Sequence, residues 1–147
     1  MEQIHATCVD VEGVGVLFLG APGSGKSDLA LRLIDGGARL VADDRADLTL
    51  EDGCVIASAP PQLAGLIEVR GLGILEMKAL GKSPVGLAVD LVPPDDVERV
   101  PEPATIDLLG VPVPLVRLAP FEASAPAKVR AALKAAAGDQ PGTKIGL

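Results

Sequence analysis

The chain has almost no aromatic residues. Trp and Tyr are absent, and Phe18 and Phe121 are the whole aromatic content of 147 residues. Proteins that bind single-stranded nucleic acid stack the bases on aromatic side chains, so this composition argues against such a partner. Apolar residues still make up 48% of the chain, so the core must consist of Val, Leu, Ile and Ala. That core favours an α/β domain with buried strands.

Positive charge, cysteine and histidine are also scarce. A net charge of −7 opposes binding to a nucleic-acid backbone or an anionic membrane, so we expect neither partner. Two cysteines and one histidine are too few for a disulfide framework or a zinc site. We expect reduced thiols and a cytoplasmic location. No apolar run approaches the roughly 18 residues that span a bilayer, and the first residues do not resemble a signal peptide.

The chain does contain a glycine-rich phosphate-binding motif. Residues 20–27 read GAPGSGKS, which matches the P-loop pattern G-x-x-x-x-G-K-S. Glycines let the backbone wrap a phosphate chain, and the following helix directs its positive end at the same anion. The lysine can bind the outer phosphates, and the serine hydroxyl can bind Mg²⁺. The residues expected to bind nucleotide are Gly20, Ala21, Pro22, Gly23, Ser24, Gly25, Lys26, Ser27 and Asp28.

The segments on either side of the motif support this interpretation. Residues 14–19 are nearly all apolar, as in a buried parallel strand, and residues 29–34 carry apolar side chains at helical spacing. Gly36 and Gly37 then end the predicted helix. A glycine-rich turn before a surface helix is the alternative, but the two flanks favour a nucleotide-phosphate site. We predict one P-loop domain over residues 1–138 and a disordered tail over 139–147.

A pair of aspartates follows the next apolar run. Residues 40–42 precede Asp43 and Asp44, an arrangement that resembles a Walker B element, in which a carboxylate at the end of an apolar strand serves Mg²⁺. Neighbouring side chains on a strand point to opposite faces, so one aspartate can face the phosphates while the other turns aside. A solvated acidic turn is the alternative. The P-loop context favours function, with Asp43 and Ser27 as metal ligands.

The remaining elements are predicted from apolar runs and from turn residues. His5 lies in a predicted strand, where an ordinary strand histidine is the better interpretation from the residues alone. Glu68 and Arg70 share one face of another strand, as site residues or as an exposed ion pair. The expected elements are a strand over 4–11 that turns at Glu12-Gly13, strands after the P-loop helix within 38–50, a hairpin of 47–50 with 54–59, a strand over 85–92, a surface loop over 93–105, an edge strand or extended segment over 108–118, and a helix over 124–137.

Three segments together resemble the catalytic domain of HPr kinase/phosphorylase, a bacterial enzyme that phosphorylates a serine of the phosphocarrier protein HPr. They are HATCVDVEGVGVLFLGAPGSGKS from His5, LVADDRADL at 40–48 and LIEVRGLGILEM at 66–77, in the family's order and spacing. The resemblance implies a P-loop fold with a mixed sheet, akin to phosphoenolpyruvate carboxykinase. It also implies an ATP- and magnesium-dependent serine kinase that acts on an HPr-like carrier.

The resemblance also implies roles for single residues. Lys26 becomes the phosphate-binding lysine and Ser27 a magnesium ligand, with Glu68 similar to a second metal ligand. Asp44 is similar to the general base that takes the proton from the acceptor serine. His5 stands in the position of an active-site histidine. Arg70, within the family's signature, would neutralise charge on the transferring phosphoryl group.

The resemblance fades after residues 111–118. Family members usually carry a basic loop with an active-site arginine there, whereas this chain reads APFEASAPAK. It therefore gives no support for the reverse phosphorylase activity or for a hexamer. We expect a short form of the family, and we expect any homo-oligomer to be smaller than a hexamer. Two alternatives stay open, a non-catalytic nucleotide sensor and a small-molecule P-loop kinase.

Overall fold

The computed structural model describes residues 1–137, which form eleven β-strands and two α-helices. The helices are α1 (Lys26–Asp35) and α2 (Ala125–Ala136). The strands are β1 (Glu2–Ile4), β2 (Thr7–Val11), β3 (Val14–Leu19), β4 (Arg39–Ala42), β5 (Ala46–Glu51), β6 (Cys54–Ser58), β7 (Leu66–Val69), β8 (Gly73–Glu76), β9 (Ser83–Leu91), β10 (Thr105–Leu108) and β11 (Val111–Leu118). The tail predicted over 139–147 lies outside the described residues. Within them, no helix is long and apolar enough to cross a membrane.

A mixed sheet contains nine of these strands. Their order is β1-β5-β6-β9-β3-β2-β4, with β11 beside β9 and β10 beside β11. β3 and β11 pair with β9 in parallel, and the other neighbours in this sheet are antiparallel. β7 and β8 form a separate hairpin. The α/β fold with a mixed sheet, predicted from the sequence, is confirmed.

The three parallel strands end at the same edge of the sheet. β3 leads into the P-loop, β9 leads into residues 92–94, and β11 leads into residues 119–124. Ligands of open α/β sheets bind at the carboxyl ends of the strands. This edge is therefore where the fold positions a binding site.

Alternate residues of the central strands pack on opposite faces of the sheet. In β3, Val16 and Phe18 are buried against the face that α1 and α2 cover, and Leu17 is buried on the other face. Leu29 and Leu33 of α1 fill the first face, while β5, β6 and β11 contribute to the second. Because both faces are covered, β3 needs apolar side chains at successive positions.

Most predicted elements are present, with one interruption. The hairpins predicted at Glu12-Gly13 and between 47–50 and 54–59 are β2–β3 and β5–β6. The strand predicted over 4–11 is broken at His5. The chain changes neighbours there, because β1 pairs with β5 whereas β2 lies between β3 and β4.

The proline-containing strand is less exposed than predicted. β11 pairs with β10 through residues 111–114 and with β9 through residues 115–118, so it is not a simple edge strand. The Leu115 N–H donates to Ala104 O, 3.0 Å away on the side of β10. Successive backbone N–H groups of a strand point to opposite sides, so the nitrogens of Pro112 and Pro114 point away from β10. On that side β9 pairs only with residues 115–118 and not with the prolines. The missing proline donors therefore cost the sheet no hydrogen bonds.

Candidate active site

The P-loop has a backbone conformation that its glycines permit. Gly20, Gly23 and Gly25 have positive φ angles of 147°, 81° and 102°. A Cβ on Gly20 would also lie 2.6 Å from Ser24 Oγ. The Leu29 N–H makes the first α1 hydrogen bond, to Gly25 O at 3.0 Å. The backbone N–H groups of residues 26–28 are thereby left for an anion at the helix N-terminus.

Lys26 extends over the loop from the first turn of α1. Its Nζ donates to Gly20 O at 2.8 Å and to Ala21 O at 3.1 Å. These contacts hold the ammonium group at the mouth of the loop, beside the free N–H groups. The charge is therefore placed where a phosphate chain would need neutralising.

Asp43 is the acidic residue that faces the P-loop. Its carboxylate is buried, with 7% exposure, at the end of β4. Oδ1 accepts hydrogen bonds from Ser27 Oγ at 2.6 Å and Thr7 Oγ1 at 2.9 Å, and Oδ2 accepts one from the Glu68 N–H at 2.9 Å. A serine hydroxyl and a carboxylate oxygen are ligands of the kind that Mg²⁺ takes alongside phosphate oxygens and water. The pair could hold a divalent cation.

Asp44 has the opposite environment. It is exposed, and its φ of 70° lies in the left-handed region, which is unusual for a residue other than glycine. Its N–H donates to Thr7 Oγ1 at 3.3 Å, and its O accepts from the Ala6 N–H at 3.1 Å. Because Ala6 directly follows His5, the second bond joins the backbone beside exposed His5 to Asp44. The left-handed turn thus sends one aspartate inward and its neighbour into solvent.

Glu68 and Arg70 lie on the β7–β8 hairpin. The Glu68 backbone is tied to Asp43, while its side chain is exposed. Within residues 1–137 no ion pair joins Glu68 to Arg70, so the structure gives no support to the exposed-ion-pair interpretation. Arg70 is exposed at the start of the turn that leads to β8. Its side chain makes no hydrogen bond to any other residue within 1–137. The structure therefore brings Glu68, but not Arg70, into the bonded network around Asp43.

No group of three or more His, Cys, Asp or Glu side chains within residues 1–137 forms a ready metal cage. Magnesium in nucleotide sites does not need one, because one or two carboxylates and the substrate phosphates supply its ligands. Ser27 and Asp43 fit that requirement.

Asp28 makes a contact that its place in the motif does not predict. Its carboxylate pairs with Arg32 one turn later, at 2.9 Å from Nη2 and 3.1 Å from Nε. The side chain is therefore engaged along α1, and its backbone N–H is the group left for phosphate. Arg32 also donates to Pro120 O, and to Glu122 O at 3.2 Å.

Sequence analysis missed Thr7 and Arg32. Thr7 lies two residues after His5 and binds Asp43, and its burial at 0% exposure is unusual for a polar residue. A threonine at the start of an otherwise buried strand was a weak signal for this role. The contact of Arg32 with residues 120–122 depends on how the chain folds back after β11, and no local pattern indicates it.

A glycine-rich loop between a parallel strand and a helix, with a carboxylate from the end of another strand of the same sheet on the loop's serine, defines a P-loop nucleotide-phosphate-binding domain. The model of the HPr Serine kinase C-terminal domain family matches residues 1–121. The chain belongs to this family, and the family resemblance inferred from the sequence is confirmed.

Curated relatives and a solved structure agree with this assignment. The HPr kinase/phosphorylases of Burkholderia lata and Burkholderia cenocepacia are each 40% identical to the chain in an alignment of 126 residues that covers 78% of this chain. The aligned part is 39% of the length of each of these relatives. The structure of the Hpr(Ser) kinase/phosphatase from Coxiella burnetii matches with a TM-score of 0.80 and 29% identity, over 95% of each chain.

Proposed function

We propose that this chain is a serine kinase domain that transfers the terminal phosphoryl group of ATP, with Mg²⁺, to an HPr-like phosphocarrier protein. The observation that carries the proposal is the 2.6 Å contact of Ser27 with Asp43 beside a P-loop, in a chain of the HPr serine kinase family. The curated relatives are named HPr kinase/phosphorylase, which suggests the acceptor.

The P-loop and Lys26 bind the phosphates in this proposal. The free N–H groups at the start of α1 and the Lys26 ammonium neutralise the transferring group, and phosphoryl transfer depends mostly on such positioning and charge stabilisation. Ser27 and Asp43 would hold Mg²⁺, which would supply positive charge to offset that of the phosphates. Glu68, whose backbone N–H binds Asp43, is the proposed second metal ligand.

Asp44 is the proposed general base. It is exposed beside the phosphate site, so an acceptor serine on another protein can reach it, whereas the Asp43 carboxylate is buried and already accepts three hydrogen bonds. His5 is the proposed active-site partner of Asp44. It directly precedes Ala6, whose N–H donates to the Asp44 carbonyl oxygen. Arg70, exposed in the turn after β7, is the proposed residue that neutralises charge on the transferring phosphoryl group. Residues 119–127 contain no Lys or Arg, so we do not propose the reverse phosphorylase reaction.

Labelled ATP, Mg²⁺ and a purified HPr-like carrier test the proposal directly. We expect label on a carrier serine, and Lys26→Ala should lower transfer by about 10²–10³-fold, the size expected for removing a preorganised charge-stabilising group. Lys82→Ala is the matched control, since Lys82 pairs with exposed Glu51 and has no part in the P-loop.

Three results would contradict the proposal. Full activity of Lys26→Ala would remove the nucleotide-kinase function. Nucleotide binding without transfer to any acceptor would indicate a sensor. Transfer only to small molecules would indicate a small-molecule kinase.

A further inference from the structure

A cavity of about 490 Å³ opens beside the P-loop. It lies between the segments that follow β3, β9 and β11, and it shares Ala21 and Ser24 with the phosphate site. Its volume is within the range of roughly 300–1,000 Å³ that is typical of small-molecule sites. Any molecule whose phosphates occupy the P-loop therefore has space for the rest of its structure next to them.

The lining of the cavity is mostly apolar. Leu91, Val92, Pro93 and Pro94 line it from the end of β9 and the segment after it, and Pro120 and Phe121 line it from the segment after β11. Glu122 also lines it, but its carboxylate is paired with Lys128 at 2.9 Å. Such a lining suits a flat apolar group better than a further charged one.

Ser24 supplies a free polar atom in this wall. Within residues 1–137, its Oγ is the buried side-chain oxygen or nitrogen that has no hydrogen-bond partner. A buried hydroxyl without a partner is unfavourable, because its lost hydrogen bonds to water are not replaced. Its position between the P-loop and the cavity allows a bound molecule to satisfy it.

The wall that carries Phe121 is fixed to the phosphate site. Arg32 of α1 binds the carbonyl oxygens of Pro120 and Glu122, and Asp28 holds Arg32 from the other side. A Cβ on Gly25 would lie 2.8 Å from Phe121 Cζ, so the ring lies against the P-loop backbone. Phe121 is nevertheless 69% exposed, so much of the ring surface is open to a ligand.

We propose that this cavity receives the nucleoside of the phosphoryl donor and that the Phe121 ring is the surface on which the base lies. The inference rests on the proposed function, which makes a nucleoside triphosphate the donor. The occupant follows from continuity, because the phosphates of such a donor lie in the P-loop and its base must lie within a few bonds of them. Arg32 is a positioning residue that holds Phe121 in place.

The test compares two ligands that share phosphates and differ in the nucleoside. The affinities of ATP and of inorganic tripolyphosphate are measured with Mg²⁺ by calorimetry for wild type and variants. We expect wild type to bind ATP more tightly. Phe121→Ala should weaken ATP binding about tenfold, as expected for the loss of one base–aromatic contact, and should leave tripolyphosphate binding unchanged. Phe121→Tyr keeps the ring and should keep the preference for ATP.

Val100→Ala is the matched control. Val100 is also a large exposed apolar residue, at 75% exposure, and it does not line the cavity, so both affinities should stay at the wild-type values. Since Phe121 is mostly exposed, its removal is not expected to unfold the chain, and circular dichroism checks this.

The outcomes separate this inference from the function on which it rests. If wild type binds neither ligand, the proposed function fails and the inference fails with it. If both ligands bind and Phe121→Ala weakens both equally or neither, the phosphate site stands and the nucleoside site is overturned. If Phe121→Ala changes only the affinity for the carrier protein, the cavity belongs to the acceptor, and the inference is likewise overturned.

Discussion

Asp43 and Asp44 are adjacent carboxylates with different surroundings. Asp43 is buried and accepts hydrogen bonds from Ser27, Thr7 and the Glu68 N–H, while Asp44 is exposed on a left-handed turn. The first is tied to the P-loop serine, and the second is open to an incoming substrate. In the proposed function, this division gives metal binding to Asp43 and proton transfer to Asp44.

A magnesium titration of two variants distinguishes proton transfer from metal binding. Asp44→Asn keeps the side-chain shape but cannot accept the serine proton, so transfer should fall by roughly 10²–10⁴-fold while nucleotide binding survives. Added Mg²⁺ should not restore it. Glu68→Gln should instead raise the Mg²⁺ concentration needed for activity, and excess metal should partly rescue it.

The reverse pattern would exchange the two assignments. If excess Mg²⁺ rescues Asp44→Asn and fails to rescue Glu68→Gln, then Asp44 binds the metal and Glu68 acts as the base. Asp47→Asn is a suitable control, because Asp47 bonds Gln3 on the β1–β5 pair and has no contact with the P-loop.

The local parts of this site could be predicted from sequence, and the long-range parts could not. The P-loop, its strand and its helix are contiguous, so the order of glycines and apolar residues was enough to place them. Thr7 reaches Asp43 across the sheet, and Arg32 reaches residues 120–122 from another element. Such contacts depend on the order of the strands in the sheet, which no local sequence pattern indicates.

At the scale of whole elements, strands that form through long-range pairing are also hard to predict from local sequence patterns. β10 lies next to a proline- and acid-rich loop and has few buried side chains, so its strand character comes from pairing with β11. β8 was likewise missed, since its residues are mostly exposed and it pairs only with β7. The buried strands β3 and β9, in contrast, show continuous apolar runs that single-sequence reasoning can find.

β2 offers a chemical probe of the sheet. It lies between β3 and β4, and Cys8 on it is completely buried. Burial, with a smaller contribution from the Asp10 charge, raises the pKa of the Cys8 thiol far above its ordinary range. Cys54, on β6, is exposed. Since the thiolate is the reactive form, the two cysteines should differ strongly in reactivity.

We predict that an aromatic disulfide reagent modifies one thiol per native chain and two after denaturation. Exposed Cys54 should be the thiol that reacts in the native chain. Cys8 should stay protonated and unreactive, because its pKa is raised. Cys54→Ser should show no reaction in the native state, and two modified thiols in the native wild type would contradict the burial of β2.

At the scale of the whole molecule, the surface limits how the chain can assemble. A closed hexamer requires each chain to bury two patches of surface, and stable interfaces take about 800 Å² from each partner. Most large exposed apolar residues within 1–137 are scattered over different elements. Leu72 and Ile74 are close in sequence, on the β7–β8 hairpin, with exposures of 72% and 70%. The net charge of −7 further opposes close association.

We therefore predict an assembly smaller than a hexamer, of one or two chains. One apolar patch can form a single two-fold interface, and residues 119–127 offer no positive charge for a second. Light scattering coupled to size exclusion measures the mass. We expect it to be well below six times 14.9 kDa, and Leu72→Ser combined with Ile74→Ser should convert any dimer to monomer. Val100→Ser, which removes a solitary exposed apolar residue, should leave the mass unchanged. A mass near six chains that persists in the double variant would show that other surfaces drive assembly.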